Sequence, residues 1–202
     1  MHIRRLDIRA MRRFFQSNTR LLLLLACMLA GVVLGCVLFV AYGRNEHTFL
    51  SGILGLSPLE KNMMSALTLL YSACFQSFFL LLILFVSGLS ACGLPFMLAV
   101  PLFFGLGIGM SEAYYYSTGW HGILLTVVLI IPPLLLKGAA VLMAASEGMR
   151  MTVLIGKRLL GADVEIDGAF RLYMLRFVVF ALVALAGGIV EVLLRMFCDM
   201  FL

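Results

Sequence analysis

The sequence predicts an all-α integral membrane protein, a bundle of about five transmembrane helices with a cytoplasmic N-terminus and an extracytoplasmic C-terminus. Three observations carry this. Of the 202 residues, 63% are hydrophobic, only 12% are charged, and the mean hydropathy is +1.12; a soluble domain is about half apolar and about a quarter charged. Apolar runs recur at the length of about 20 residues that a helix needs to cross a bilayer. Lysine and arginine gather in alternate connecting segments, the asymmetry that sets membrane topology. Residues 1–20 form a basic cytoplasmic tail and residues 21–202 a single polytopic domain, which leaves no room for a sizeable soluble domain. The net charge of +5 sits where topology needs it and does not point to nucleic acid.

The first span is expected at about 21–42, behind Arg4, Arg5, Arg9, Arg12, Arg13 and Arg20. Its apolar core exceeds the roughly 7–15 residues of a signal-peptide core, so it reads as a retained anchor. Leu24-Leu25-Ala26-Cys27 has the form of a lipoprotein cleavage box, but only the apolar residues Leu21 to Ala26 precede the cysteine, and the match reads as chance. From Asn62 to Ser111 the chain has no charge, a run too long for one crossing. It reads as two spans, about 66–87 and 96–115, joined by a cytoplasmic turn, GLSACGLP, at 88–95. Gly93 and Pro95 suit a turn, glycine because it tolerates positive φ and proline because it fixes its own φ. The fourth span is expected at about 122–144 and the fifth at about 172–194, with an inner segment at 146–161 between them. In that segment Glu147, Arg150, Lys157 and Arg158 share one helical face, either as an extension of span four or as a helix lying in the inner interface. Both arrangements offer a basic surface to anionic membrane lipid or to a partner.

Five spans place eleven positive charges inside (the six tail arginines with Arg150, Lys157, Arg158, Arg171 and Arg176) and three outside (Arg44, Lys61 and Arg195). A single crossing between 66 and 115 would move the second basic segment outside, against the rule.

Candidate chemistry is sparse. Gly88-x-Ser90-Ala91 is similar to the nucleophile motif of intramembrane serine proteases, but a serine nucleophile needs a base within hydrogen-bond reach. His47 and His121 fall on the opposite side of the membrane and His2 lies in the tail, so Ser90 reads as a small residue in a tight turn and no catalytic residue is assigned. The five cysteines form no CxxC pair and fall mostly in apolar runs, so neither a metal site nor a cofactor is expected. Asp163, Glu165 and Asp167 read as a solvated loop, with Asp167 capping the last helix. Lys137, in the fourth span after Pro132-Pro133, is the one residue marked for function by its charge. Two arrangements are open: an ion or substrate site at a proline break, or a lysine snorkelling towards the inner headgroups, which is the expected one. Glu191 and Arg195 are spaced to pair on one face of span five. Tyr114, Tyr115, Tyr116 and Trp120 form an outer aromatic belt. Gly31/Gly35, Gly105/Gly109 and Ala184/Gly188 are small residues four apart, the spacing of close helix contacts, either within the bundle or in a homo-oligomer.

The ordered set Gly88-Leu89-Ser90, Gly93-Leu94-Pro95, the glycine-rich third span with Gly105 and Gly109, and Gly119-Trp120-x-Gly122 with Pro132 after it resembles the stage II sporulation protein M family. The resemblance covers about residues 15–195. It implies a non-catalytic scaffold in the cytoplasmic membrane of a spore-forming bacterium. Such a scaffold assembles the cell-wall hydrolases, stage II sporulation proteins D and P, at the septal membrane for engulfment. A non-sporulating branch of the family carries Pro-His-Gly and then Glu in the fourth span; here those positions read Pro132-Pro133-Leu134 with Lys137 in place of Glu. The alternative is a small oligomeric transporter or channel subunit using Pro132-Pro133 and Lys137.

Overall fold

The computed structural model describes residues 19–42, 66–117, 119–120, 123, 126–127, 131–160 and 167–201. It is all-helical, with α1 at Thr19–Tyr42, α2 at Ala66–Gly88, α3 at Leu94–Ser117, α4 at Ile131–Leu159 and α5 at Asp167–Phe201. Four of them, α1, α3, α4 and α5, are long and apolar enough to cross a membrane, and α2 contains a shorter apolar stretch, Cys74–Gly88. The chain is a multi-pass membrane protein by these criteria. The basic tail and the loop at 43–65 lie outside the described residues.

The charge-free run does divide in two. α2 ends at Gly88, and residues 89–93 turn the chain into α3. The amides of Leu89, Ser90 and Gly93 donate to the carbonyls of Val86, Ser87 and Ser90, so the turn continues the bonding of the last helical coil before reversing. Pro95 falls in the first turn of α3, where a missing N–H costs nothing. Gly93 is needed for a different reason from the expected positive φ: among the described residues only Gly119 has one, at 91°. A Cβ on Gly93 would fall on the carbonyl oxygen of Ser87, so the turn is closed too tightly for any side chain there.

Contact register gives the direction of each helix. Gly31 meets Leu102 and Gly35 meets Leu106, so α1 and α3 run parallel. Phe104 lies against Gly138 and Met97 against Gly148, so α3 and α4 run antiparallel. Lys137 lies against Gly187, while Arg176 pairs with Glu147, so α4 and α5 are antiparallel as well. Directions therefore alternate along the chain. The 89–93 turn, the end of α4 and the start of α5 share one end of the bundle, called here the turn end; the aromatic end of α3 and the C-terminal half of α5 lie towards the far end.

α4 is central and packs on all four other helices. Half of its apolar window is buried, against 17% for α1. The reason is a ridge of small residues at four-residue spacing, Ala140, Ala144, Gly148 and Thr152, all buried. Small side chains let neighbouring backbones approach, which is the main packing device when lipid is as apolar as the core. Around this ridge sit Leu84, Met97, Val100, Tyr173 and Phe177.

Two expected boundaries are corrected. The fourth span was placed at about 122–144, with 146–161 separate; α4 instead runs unbroken from Ile131 to Leu159. No proline interrupts it beyond Pro133, and Glu147 is neutralised across the bundle, so the charges need no break. The interfacial-helix alternative for 146–161 thus falls and the extension stands. Pro132 and Pro133 lie in the first described turn of α4, where proline is compatible with helix; residues 126–127 before it are helical, and 128–130 lie outside the described residues. α5, at 35 residues, extends beyond the expected 172–194 in both directions.

Candidate functional site

Among the described residues, the ion-paired side chains inside the bundle form two groups, both centred on α4; Ser77 of α2 and Thr126 are buried polar residues outside these groups. The first is Lys137, whose Nζ donates to Glu191 Oε2 at 2.5 Å, the two side chains being 9% and 15% exposed. A Cβ on Gly138, the next residue, would lie 3.6 Å from Met28 and 3.7 Å from Phe104, near the middles of α1 and α3, so the lysine stems from mid-bundle. Its Cγ lies where a Cβ on Gly187 would be 3.0 Å away, so glycine at 187 makes room for the lysine stem. The snorkelling expectation is corrected here. Side chains on a helix lean towards its N-terminus, which for α4 is the far end, away from Lys157 and Arg158. Glu191 leans back from α5 towards the same level, and the two meet. The expected Glu191–Arg195 pair rests on the Arg195 side chain, which lies outside the described residues.

The second group lies at the turn end, roughly 16 Å further along α4. Glu147 accepts from Arg176 of α5 and also lies 3.9 Å from Arg150, one turn along its own helix. Beside it, the Tyr173 hydroxyl donates to the Phe85 carbonyl (3.0 Å) and the Thr152 hydroxyl to the Gly88 carbonyl (3.3 Å). Those acceptors belong to the last turn of α2, whose carbonyls have no partner within the helix. Gly88 sits against Gly148 and Tyr173, and a Cβ there would strike the tyrosine hydroxyl. Gly88 is thus the meeting point of α2, α4 and α5.

The remaining sequence-marked residues are dispersed. Ser90 is exposed, and its Oγ accepts from the Cys92 amide at 3.3 Å, a local turn contact. Gly105 and Gly109 face α1: Cβ atoms on them would fall on the carbonyls of Met28 and Val32, as those on Gly31 and Gly35 would fall on Leu102 and Leu106. The Cys36 thiol donates to the Gly109 carbonyl at 3.3 Å across the same seam. These two glycine pairs consume each other within one chain. Gly119, at positive φ, follows α3, its amide donating to Tyr116 and its carbonyl accepting from Ile123. Trp120 is 70% exposed near the tyrosines that end α3. Gly122 and all three histidines lie outside the described residues.

Sequence reasoning missed Glu191 as the partner of Lys137, the Glu147–Arg176 pair, and Thr152 and Tyr173. Opposite charges within two consecutive spans were the available signal for the first. No protein-family model, no curated protein and no solved structure matches this chain.

Proposed function

We propose that this protein is a non-catalytic membrane scaffold. Its five spans run from a cytoplasmic N-terminus to an extracytoplasmic C-terminus, and it holds peptidoglycan hydrolases at the septal membrane during endospore engulfment. The observation that carries the scaffold reading is how the interior is spent. α1 and α3 meet backbone to backbone, the small ridge of α4 is covered, and Lys137, Glu191, Glu147 and Arg176 each have an opposite charge beside them. Such a body presents surfaces rather than a reaction centre or an open path. Alternating helix directions and the basic turn end favour that end as cytoplasmic. The sporulation role is supported by the ordered motif set from Gly88 to Pro132 and by its resemblance to the stage II sporulation protein M family. The loop 43–65 and the segment 111–121 then face stage II sporulation proteins D and P, and exposed helix faces meet partner helices or a second copy.

Affinity purification of the tagged chain from sporulating cells should bring down those two hydrolases; recovery of neither sinks the proposal. One observation favours a second reading, a small oligomeric transporter or channel subunit: an ion pair buried in a membrane bundle is a recurrent element of ion pathways. Flux into proteoliposomes that disappears with Lys137→Leu, in a variant that still folds, would establish the transporter instead.

A further inference from the structure

We infer that the cleft between α4 and α5 at the turn end binds the headgroup of one anionic phospholipid. The cleft is a shallow depression open to its surroundings, and Glu147, Arg150, Leu154, Leu172 and Tyr173 line it. Its charge is unbalanced. Arg150 and Arg176 both address the single carboxylate of Glu147, so the three side chains carry one positive charge in excess. Arg150 is half-exposed, with donors to spare after a 3.9 Å approach to Glu147. Lys157 and Arg158 follow on the same side of α4, two turns beyond Arg150, both exposed. A phosphodiester carries one negative charge and accepts two parallel hydrogen bonds from a guanidinium.

The second observation is apolar. Leu172 begins an exposed stripe on α5 that continues through Leu175, Val179 and Leu182, at 46%, 64%, 48% and 61% exposure. The spacing keeps these on one face, so acyl chains anchored at the cleft have a continuous track away from the turn end. The Tyr173 hydroxyl is committed to Phe85 and takes no part. Diffuse attraction of a basic end to an anionic surface would need neither the cleft nor the stripe. It would draw equally on Arg171, which is exposed at the same end but not among the residues lining the cleft.

Native mass spectrometry on the full-length protein in a neutral detergent tests this, titrating phosphatidylglycerol against phosphatidylcholine. One phosphatidylglycerol should be retained about fivefold more tightly than phosphatidylcholine, given one excess positive charge and about 1 kcal/mol per basic residue near an anionic surface. Arg150→Gln should remove that preference and Arg171→Gln should leave it. Glu147→Gln, which removes the competing carboxylate, should tighten phosphatidylglycerol binding severalfold, a gain that a misfolded chain cannot mimic. Equal retention of both lipids, equal losses from Arg150→Gln and Arg171→Gln, weaker binding in Glu147→Gln, or displacement of the lipid by an equal concentration of glycerol phosphate would each overturn the proposal.

Discussion

A lysine near the middle of a membrane bundle persists only if its charge is met, and Lys137 is met by Glu191 at 2.5 Å. Removing one partner of a buried pair strands the other, at a cost of about 3–5 kcal/mol, whereas replacing both by apolar residues of similar volume is often neutral. Lys137→Met should therefore destabilise the protein by roughly 3 kcal/mol in detergent unfolding, and Lys137→Met with Glu191→Met should recover most of that loss. If the double variant is as unstable as the single, the pair is not what holds Lys137. At the turn, Ser90→Ala should change stability by less than about 0.5 kcal/mol, because it loses one exposed local contact. Gly93→Ala should cost about 1–3 kcal/mol through the clash with Ser87. The need for glycine at 93 was legible in GLSACGLP, but its cause was not, since a close approach of two backbone atoms leaves no composition signal. For the same reason Lys137 was legible as an oddity while its partner, 54 residues away, was not.

Helix existence was well marked, because apolar runs of bilayer length have few alternative readings. The first three spans match the helices to within about two residues. The fourth did not, because a charge inside a run reads as an end, and the charges of α4 at Glu147 and Arg150 are compensated by Arg176 on another helix. The ridge Ala140, Ala144, Gly148 and Thr152 stands in the sequence at plain four-residue spacing, yet alanine is too common in helices for it to have stood out. The glycine pairs were visible, and their partner was the ambiguity. With Gly31 and Gly35 facing the carbonyls of Leu102 and Leu106, the seam is internal. Gly105→Ile should force α1 away from α3 and cost roughly 3 kcal/mol, without changing any oligomeric state that survives in the folded fraction. Sedimentation of that fraction checks it. Dissociation of an oligomer into folded monomers would move the seam to an interface between copies.

Alternating directions, an α2–α3 hairpin and a basic turn end give the molecule a polarity that single-site labelling can read. Cys92 is exposed in the turn, and Trp120 is exposed beyond the other end of α3. In intact spheroplasts a membrane-impermeant maleimide should label Trp120→Cys and spare Cys92 until the membrane is opened, with Cys198 replaced by serine. The reverse pattern would invert the proposed orientation. Charge asymmetry had carried that orientation in the sequence, because it needs only counts of lysine and arginine on either side of each span. How the spans nest could not be counted in this way. The seam between α1 and α3 joins helices that are not neighbours in the chain, with roughly fifty residues and all of α2 between them. At synthesis rates of about 5–20 residues per second, roughly 3–15 s separate the release of α1 into the bilayer from the arrival of Gly109. For that interval the glycine face of α1 has only lipid or the insertion machinery against it. Biogenesis of this protein therefore includes a waiting helix, and factors that shelter or degrade lone membrane segments have a window in which to act on it.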